Sequence, residues 1–402
     1  MLVAPQNGAT VLNVVSMKVR YVRLQNFRNH SESVLEPGSG VNVLLGKNGQ
    51  GKTNMLEAIS CLGLTKSFYA ANDATLVQLG HNAFLVEGVL VGDAGIEQHV
   101  DLSYTKDQAA KTYAVDGERF ERLASAIGLF PLVILSPENS AITFGGPANR
   151  RKFIDMVLCQ LSRSYFEDLL EYRHVLRQRN RVLTEARLHG GLQKENLEPW
   201  DETLASRGAR IVQRRAQFVS ELRGYIVRSY ANLVEVQEQP DIRYVTSIEH
   251  ALEMNVDEID RSIRDQLAFR FAEESQRGMC LVGPHRDDLL FQLDGIDLQK
   301  YASQGQHKTF LIALKIAEFL YLKEKNGETP ILLLDDVLSE LDAARSKRLL
   351  ASIVEFGQTI VTTTDDSPFT GILQWGDEHR RSYVEQGTCK PINSGQEAAI
   401  GA

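Results

Sequence analysis

Three short runs hold the groups whose types and spacing can do chemistry. GKNGQGKT (Gly46, Lys47, Asn48, Gly49, Gln50, Gly51, Lys52, Thr53) fits the pattern G-x-x-x-x-G-K-[ST] at every position. Glycines there let backbone N–H groups wrap phosphates, Lys52 is placed to reach the β- and γ-phosphates of ATP, and the Thr53 hydroxyl suits Mg2+. In a chain of 402 residues a chance match has odds of about one per cent at average residue usage. ILLLDD (Ile331–Asp336) buries an apolar run and ends on two carboxylates. Asp335, at the carboxyl end of that strand, is the second group the metal needs, and Asp336 is placed to orient an attacking water. Taken alone, the pair reads equally well as an acidic helix cap after a core strand. The third run, Ser303-Gln304-Gly305-Gln306, puts a hydroxyl, two amides and a bare backbone at the start of an apolar helix. That is the chemistry of an anion site; in isolation it is also the cap of a core helix.

The surrounding chain must supply the elements that position these runs. VNVLL (Val41–Leu45) reads as a buried strand entering the glycine loop, and NMLEAISCLGL as the helix leaving it. From Met17, MKVRYVRLQNFRNH alternates as a strand, while residues 1–16 read as a disordered extension without signal-peptide features. FLVEGVLVGDAGIEQHVDLSY and KTYAVDGERF continue as strands, with Asp116-Gly117 marking a hairpin, and PLVILSPE is a further strand. At Arg150 the texture changes. Ile154, Leu158, Leu161, Tyr165, Leu169, Tyr172, Leu176 and Leu183 form one amphipathic stripe. The stripe predicts a single helix over residues 150–187, roughly 57 Å long. HGG ends it, and Leu204, Ile211, Phe218, Leu222 and Ile226 begin a second, so the pair reads as a helical hairpin. PILLLDD and QTIVTTTD then restore the strand pattern. The expected organisation is α/β: residues 17–149 as the first part of an ATPase lobe, 150–275 as an inserted helical arm, 276–386 completing the head, and 387–402 as a flexible tail.

Composition bounds the rest. Hydrophobic content of 43% and charged content of 24% are those of an ordinary globular protein. No window approaches a membrane span. The four cysteines lack metal-ligand or redox spacing, which predicts reduced thiols and a cytoplasmic setting. A formal net charge of −8 says nothing about local patches.

The third run and Ser339-Glu340-Leu341-Asp342 together resemble the signature and D-loop of ABC-type ATPases. In that superfamily the signature closes over ATP held on a second subunit. LQNFRNH, GKNGQGKTNMLEAI, LSPENSAITFGGPANRRKFID, VGPHRDDL, SQGQHKT and LLLDDVLSELD follow the order and spacing of the bacterial RecF family, from Met17 to about Val384. The resemblance implies an ABC-ATPase/SMC-head-like P-loop domain with an inserted arm, in DNA replication, repair and the SOS response. It implies ATP and Mg2+ as cofactors, an ATP-dependent homodimer, and duplex and single-stranded DNA at gap junctions as the target. RecR, RecO and RecA are the implied partners in the pathway. By the same carry-over Ser303, Gln304, Gly305 and Gln306 act in trans, Ser339 and Asp342 belong to the D-loop, Arg28 and Asn29 lie near the base, and Glu138 couples nucleotide to arm. Three positions depart from the patterns: Asn139 stands where the family usually has Asp, Tyr69 where it usually has Arg, and Asp336 where typical ABC ATPases have Glu. The shorter Asp336 predicts weak activation of water and slow turnover, and the resemblance implies a weak DNA-dependent ATPase used as a switch. His285 and Arg286 read either as a catalytic pair or as residues holding their loop.

Basic charge gathers on the insertion. Residues 150–190 hold nine Lys/Arg against five Asp/Glu, and 205–230 hold six Arg against Glu221 alone. Arg150, Arg151, Arg177, Arg181, Arg214 and Arg215 are therefore candidates for a DNA-backbone track without base specificity. A solvated face of i,i+4 ion pairs is the plainer reading. An ATPase subunit of another ABC- or SMC-type complex is the alternative for the whole chain. A transporter subunit would need a membrane partner, an SMC tether a far longer insertion, and a P-loop kinase no signature.

Overall fold

The computed structural model describes residues 17–190, 192–235 and 237–392. The expectation for residues 1–16, and that for the tail beyond Ile392, lie outside the described residues. The chain opens with the hairpin β1 (Lys18–Phe27) and β2 (His30–Leu35), then β3 (Val41–Leu45), the glycine loop and α1 (Lys52–Leu64). A meander follows: β4 (Ala83–Val91), β5 (Glu97–Thr105), β6 (Ala110–Val115) and β7 (Glu118–Arg119), then β8 (Leu132–Leu135). At the β6–β7 turn Asp116 and Gly117 have φ of 52° and 83°, the doubly left-handed geometry that an Asp-Gly hairpin needs.

The second half begins with α2 (Ser140–Phe144), α3 (Pro147–Leu161), α4 (Arg163–His189), α5 (Glu198–Leu233), β9 (Pro240–Val245) and α6 (Val256–Arg277). It then runs β10 (Asp288–Leu293), β11 (Ile296–Asp297), α7 (Leu298–Tyr301), α8 (Gln304–Asn326), β12 (Ile331–Asp335), α9 (Ala343–Ile353), β13 (Thr359–Thr363), β14 (Arg380–Glu385) and β15 (Thr388–Pro391).

Two six-stranded sheets carry the head. The order β15-β14-β3-β13-β12-β8 is parallel except for β15. Strands β3, β8, β12 and β13 are buried at every residue, as unbroken runs such as VNVLL and ILLLD must be when both faces are covered. The antiparallel sheet runs β2-β1-β4-β5-β6-β7. Helix α1 fills the space between the sheets, buried along almost its whole length, and packs with Leu44, Leu333 and Ile360 on one side and Val22, Val86 and Leu102 on the other. On the opposite face of the parallel sheet Val43, Leu332 and Leu334 join α3, α5 and α8 in the larger core.

The insertion departs from the single predicted helix. Ser162 is extended (φ −143°, ψ 110°) and its Oγ accepts the Tyr165 amide at 3.2 Å, so the stripe is cut into α3 and α4 by an N-cap. The tail also differs from expectation: Thr388–Pro391 form β15 against β14.

Charge on the arm is largely spent inside it. Arg150 is buried and grips Asp288 with two bonds of 2.7 and 2.8 Å. Arg215 is buried against Asp155 at 2.7 Å and donates to the Pro284 carbonyl at 2.7 Å. Neither guanidinium is on the surface, so both leave the proposed DNA track: a count of charges does not reveal which cations are paired across helices. Arg179–Asp201 and Arg207–Asp168 fix α4 antiparallel to α5. His285 Nε2 donates to the Cys280 carbonyl at 3.1 Å, its Nδ1 lies 2.6 Å from the Tyr172 hydroxyl, and burial pushes its pKa down to about 4. That is the loop-holding reading. Cys61, Cys159 and Cys280 are buried free thiols. Among the described residues no helix is long and apolar enough to cross a membrane.

Arg215→Met leaves the buried Asp155 carboxylate to the half-exposed Arg173 and the Tyr165 hydroxyl, and frees the Pro284 carbonyl; it is expected to cost about 3 kcal/mol, whereas Arg177→Ala should stay within about 0.5 kcal/mol. Urea unfolding of the two variants checks the contrast.

Candidate functional site

The carboxyl ends of β3, β12 and β13 meet at the glycine loop, where open parallel sheets place ligands. Gly46 has a φ of 155°, and a Cβ there would come within 2.3 Å of the Val384 carbonyl. Gly51 has a φ of 113°, and its Cβ would lie 2.7 Å from both Asn29 Oδ1 and His30 Nε2. Both positions therefore require glycine. Lys52 folds its ammonium over the loop, donating to the carbonyls of Gly46 at 2.6 Å and Lys47 at 2.9 Å. Burial lowers its pKa, while the Asp336 and Asp335 carboxylates oppose that shift.

Asp335 is the hub. Its Oδ1 accepts from the Thr53 hydroxyl at 2.8 Å and from the Thr362 hydroxyl at 2.7 Å. Burial raises its pKa, aided by the charges of Asp336 and Glu138, and the two hydroxyls pull the other way. Asp336 sits at φ 50°, donates its N–H to Thr362 Oγ1 at 2.9 Å, and keeps a buried Oδ1 without a hydrogen-bond partner among the described residues. A left-handed aspartate with an unsatisfied buried oxygen is strained and costly unless something else uses it. Glu138 lies exposed in the short turn Pro137–Asn139, near enough for its charge to bear on Asp335.

Behind the loop sits a brace. Asn29 Nδ2 and the Gly387 amide both donate to the Gln50 carbonyl, at 3.0 and 2.9 Å. Gln386 N–H reaches Gln50 Oε1 at 2.8 Å, and His30 Nε2 lies 3.0 Å from the Gly51 carbonyl. Arg28 clasps the buried Glu57 of α1 with two 2.8 Å bonds, spends Nη1 on the Thr75 carbonyl, and lies over the Tyr69 ring at 5.9 Å. The structure thus gives Arg28 and Asn29 supporting contacts around the loop and α1. Thr362, Glu57, His30 and Gln386 were not found from sequence. TTTD after a strand is the one weak signal for Thr362, while the others depend on pairing that no local pattern encodes.

Ser303 caps α8: its Oγ accepts the Gln306 amide at 3.2 Å and Gln306 Oε1 accepts the Ser303 amide at 2.8 Å. Gln306 Nε2 is held by Glu238 at 2.9 Å. Ser303 and Gln304 are exposed, and among the described residues no hydrogen bond joins this turn to Gly46–Thr53. Beside it Asp342 caps α9 through the Arg345 amide at 2.9 Å, and Ser339 Oγ donates to the Asp336 carbonyl at 2.8 Å. Of the arm cations, Arg151 is half-buried and donates to the Asp287 carbonyl at 2.6 Å, Arg181 is exposed in an i,i+4 pair with Glu185, and Arg177 and Arg214 are exposed, with no ion pair among the described residues.

A phosphate-binding loop after β3, a carboxylate at the end of β12 one strand beyond its neighbour, and a helical arm inserted ahead of α8 define an ATPase head of the ABC and SMC class. The head domain of Smc from Pyrococcus furiosus shares this fold, with a TM-score of 0.53 at 15% identity over 94% of this chain and 96% of that one. A family model described as RecF/RecN/SMC N terminal domain matches residues 18–375. The DNA replication and repair protein RecF of Prosthecochloris aestuarii is 40% identical over 358 residues, 87% of this chain and 94% of that protein. RecF of Staphylococcus epidermidis is 37% identical over 349 residues, 87% of this chain and 93% of its own length. A structure described as the recombination mediator protein RecF-ATP in the RecFOR pathway superposes with a TM-score of 0.87 at 31% identity, covering 95% of this chain and all of that one (100%). The chain belongs to the RecF family.

Gly51→Ala forces a side chain into a left-handed turn already filled by Asn29 and His30. ATP affinity should fall roughly tenfold or more, the scale set by about 1–3 kcal/mol of backbone strain. Titration with a fluorescent ATP analogue measures it, with far-UV circular dichroism showing the fold retained.

Proposed function

We propose that this chain is an ATP-switched DNA-binding protein of recombinational repair and replication, acting as a dimer whose two heads close on ATP. The observation that carries the reading is a site split in two. One surface holds a phosphate cradle with its carboxylates, and a different, exposed helix start, Ser303–Gly305, offers an anion site that its own cradle does not use. A second copy completes the arrangement. The family's curated members are named for DNA replication and repair, and the similar structure's description places RecF with ATP in the RecFOR pathway.

ATP and Mg2+ fit the residues present. Gly46 and Gly51 leave backbone where a Cβ would collide, Lys52 is poised on two loop carbonyls, and the Asp336 oxygen is unsatisfied. Thr53 and Asp335 would hold the metal, which polarises the phosphate oxygens when bound. Among the described residues no three His, Cys, Asp or Glu gather into a metal cage. An ion held by one carboxylate, a hydroxyl, phosphate and water is what Mg2+ prefers. Lys52 binds the triphosphate, Asp335 and Thr53 orient its metal end, and Asp336 holds the attacking water. Hydrolysis is slow in this reading, and serves to release the dimer.

DNA contact rests on the exposed cations of the arm, led by Arg177, Arg181 and Arg214, and is backbone-directed. The arm is too short for a tether, since α5, with its 36 residues, spans roughly 54 Å. RecR and RecO are the proposed partners, with RecA loading at gap junctions as the outcome.

Ser303→Arg should bind ATP as well as the unaltered chain yet stay monomeric, whereas Lys52→Ala should lose both properties. Sedimentation velocity with and without ATP decides, and normal ATP-dependent dimerisation of Ser303→Arg would reject the split site. Arg177→Glu with Arg214→Glu should weaken duplex binding by about tenfold and reduce the salt slope by about two, read from anisotropy titrations at several salt concentrations.

A further inference from the structure

A cavity of about 60 Å³ lies between the end of β12, the Pro137–Phe144 segment and the first turns of α8. Most of its wall is apolar, from Leu135, Phe144, Leu311 and Ile312. Two residues of the same wall each keep a buried polar atom without a hydrogen-bond partner among the described residues, Asp336 Oδ1 and His307 Nδ1, and the buried Ser136 hydroxyl beside them faces the Asn139 amide as a cap and has no acceptor for its own hydrogen there. Ser136 and His307 are 3% and 2% exposed. A purely apolar cavity stays dry, but one rimmed by unsatisfied polar groups takes up water, and a single water needs only about 10–15 Å³. Leaving these groups unpaired would cost more than ordering the water that joins them.

Among the described residues no hydrogen bond is made by the His307 ring nitrogens. Its imidazole stacks on Phe144 with centroids 3.8 Å apart and planes 19° from parallel, and its backbone N–H bonds the Ser303 carbonyl at 3.0 Å. The stack fixes the plane of the ring, and Nδ1 is buried with no hydrogen-bond partner among the described residues.

We propose that this cavity is a water chamber, and that His307 is a positioning residue for ATP hydrolysis, holding the Asp336 carboxylate in place through a hydrogen-bonded chain of chamber water. The inference rests on the ATP-switch reading. It also assigns a link between two sites. His307 lies one helical turn after Ser303, so the helix that presents the signature to a second copy also carries the group that steadies this copy's own Asp336.

The test uses the full chain with ATP, Mg2+ and duplex DNA. His307→Phe keeps the stack on Phe144 and removes the ring nitrogens, and His307→Asn restores a polar group near the place of Nδ1. His307→Phe should bind ATP and dimerise within about twofold of the unaltered chain. Its single-turnover hydrolysis should slow roughly tenfold, the scale of one hydrogen bond to a charged group, and His307→Asn should recover most of that loss. Unchanged hydrolysis in His307→Phe overturns the proposal, as does equal loss in both variants, which would mark His307 as packing alone. Should His307→Phe fail to fold, Ser136→Ala decides: a rate at least about twofold slower supports the chamber, and an unchanged rate rejects it. Failure of the underlying reading looks different, because the unaltered chain would then show no ATP-dependent dimer at all.

Discussion

One oxygen, Asp335 Oδ1, receives hydrogen bonds from the Thr53 hydroxyl at the start of α1 and from the Thr362 hydroxyl on β13. Through it the glycine loop, the β12 strand end and the neighbouring strand become a single rigid corner. The corner exists because β3, β13 and β12 lie side by side and parallel, so their carboxyl ends point the same way. Continuous apolar strands buried on both faces give that sheet its stability, and the polar residues appear only where the strands end. The left-handed turn at Asp336 follows directly from the corner: with its N–H tied to Thr362, the backbone must bend away from the sheet at once.

The arm is fixed by a different kind of interaction. The Cys280–Asp288 loop is gripped from several elements: Arg215 of α5 takes the Pro284 carbonyl, Arg151 of α3 the Asp287 carbonyl, Tyr244 of β9 the Asp287 carboxylate, and Arg150 of α3 clasps Asp288. Buried ion pairs of this kind contribute little net stability compared with apolar packing, but their geometry tolerates few alternatives. They hold the helical hairpin against the head, and the chain that follows passes through β10, β11 and α7 before it reaches α8 with its exposed cap.

Much of this was legible in the sequence. The glycine loop, the strand runs around it, the Asp116-Gly117 hairpin and the cap of α8 all follow from local rules, because each depends on residues within a few positions of one another. What escaped was tertiary. Arg150 and Arg215 look in sequence like the exposed cations around them, and only their partners Asp288 and Asp155, distant in the chain, make them internal. Ser162 stops a helix that the apolar stripe carries through without a break, since a stripe records which face is buried and not whether the backbone is continuous. The brace on Gln50 from Asn29, Gln386 and Gly387 joins residues up to 337 positions apart.

That last separation has a consequence for how the molecule is made. Strand β3 ends at Leu45, but the strands on either side of it begin at Thr359 and Arg380. More than 300 residues must be added after the glycine loop before either neighbour exists, which takes roughly 15 to 60 s at ordinary rates of synthesis. Through that interval the loop has a strand without a sheet and a helix without its second cover. The nucleotide cradle is the first functional segment to be translated and the last to be built, so a nascent or prematurely ended chain has no cradle with which to hold ATP.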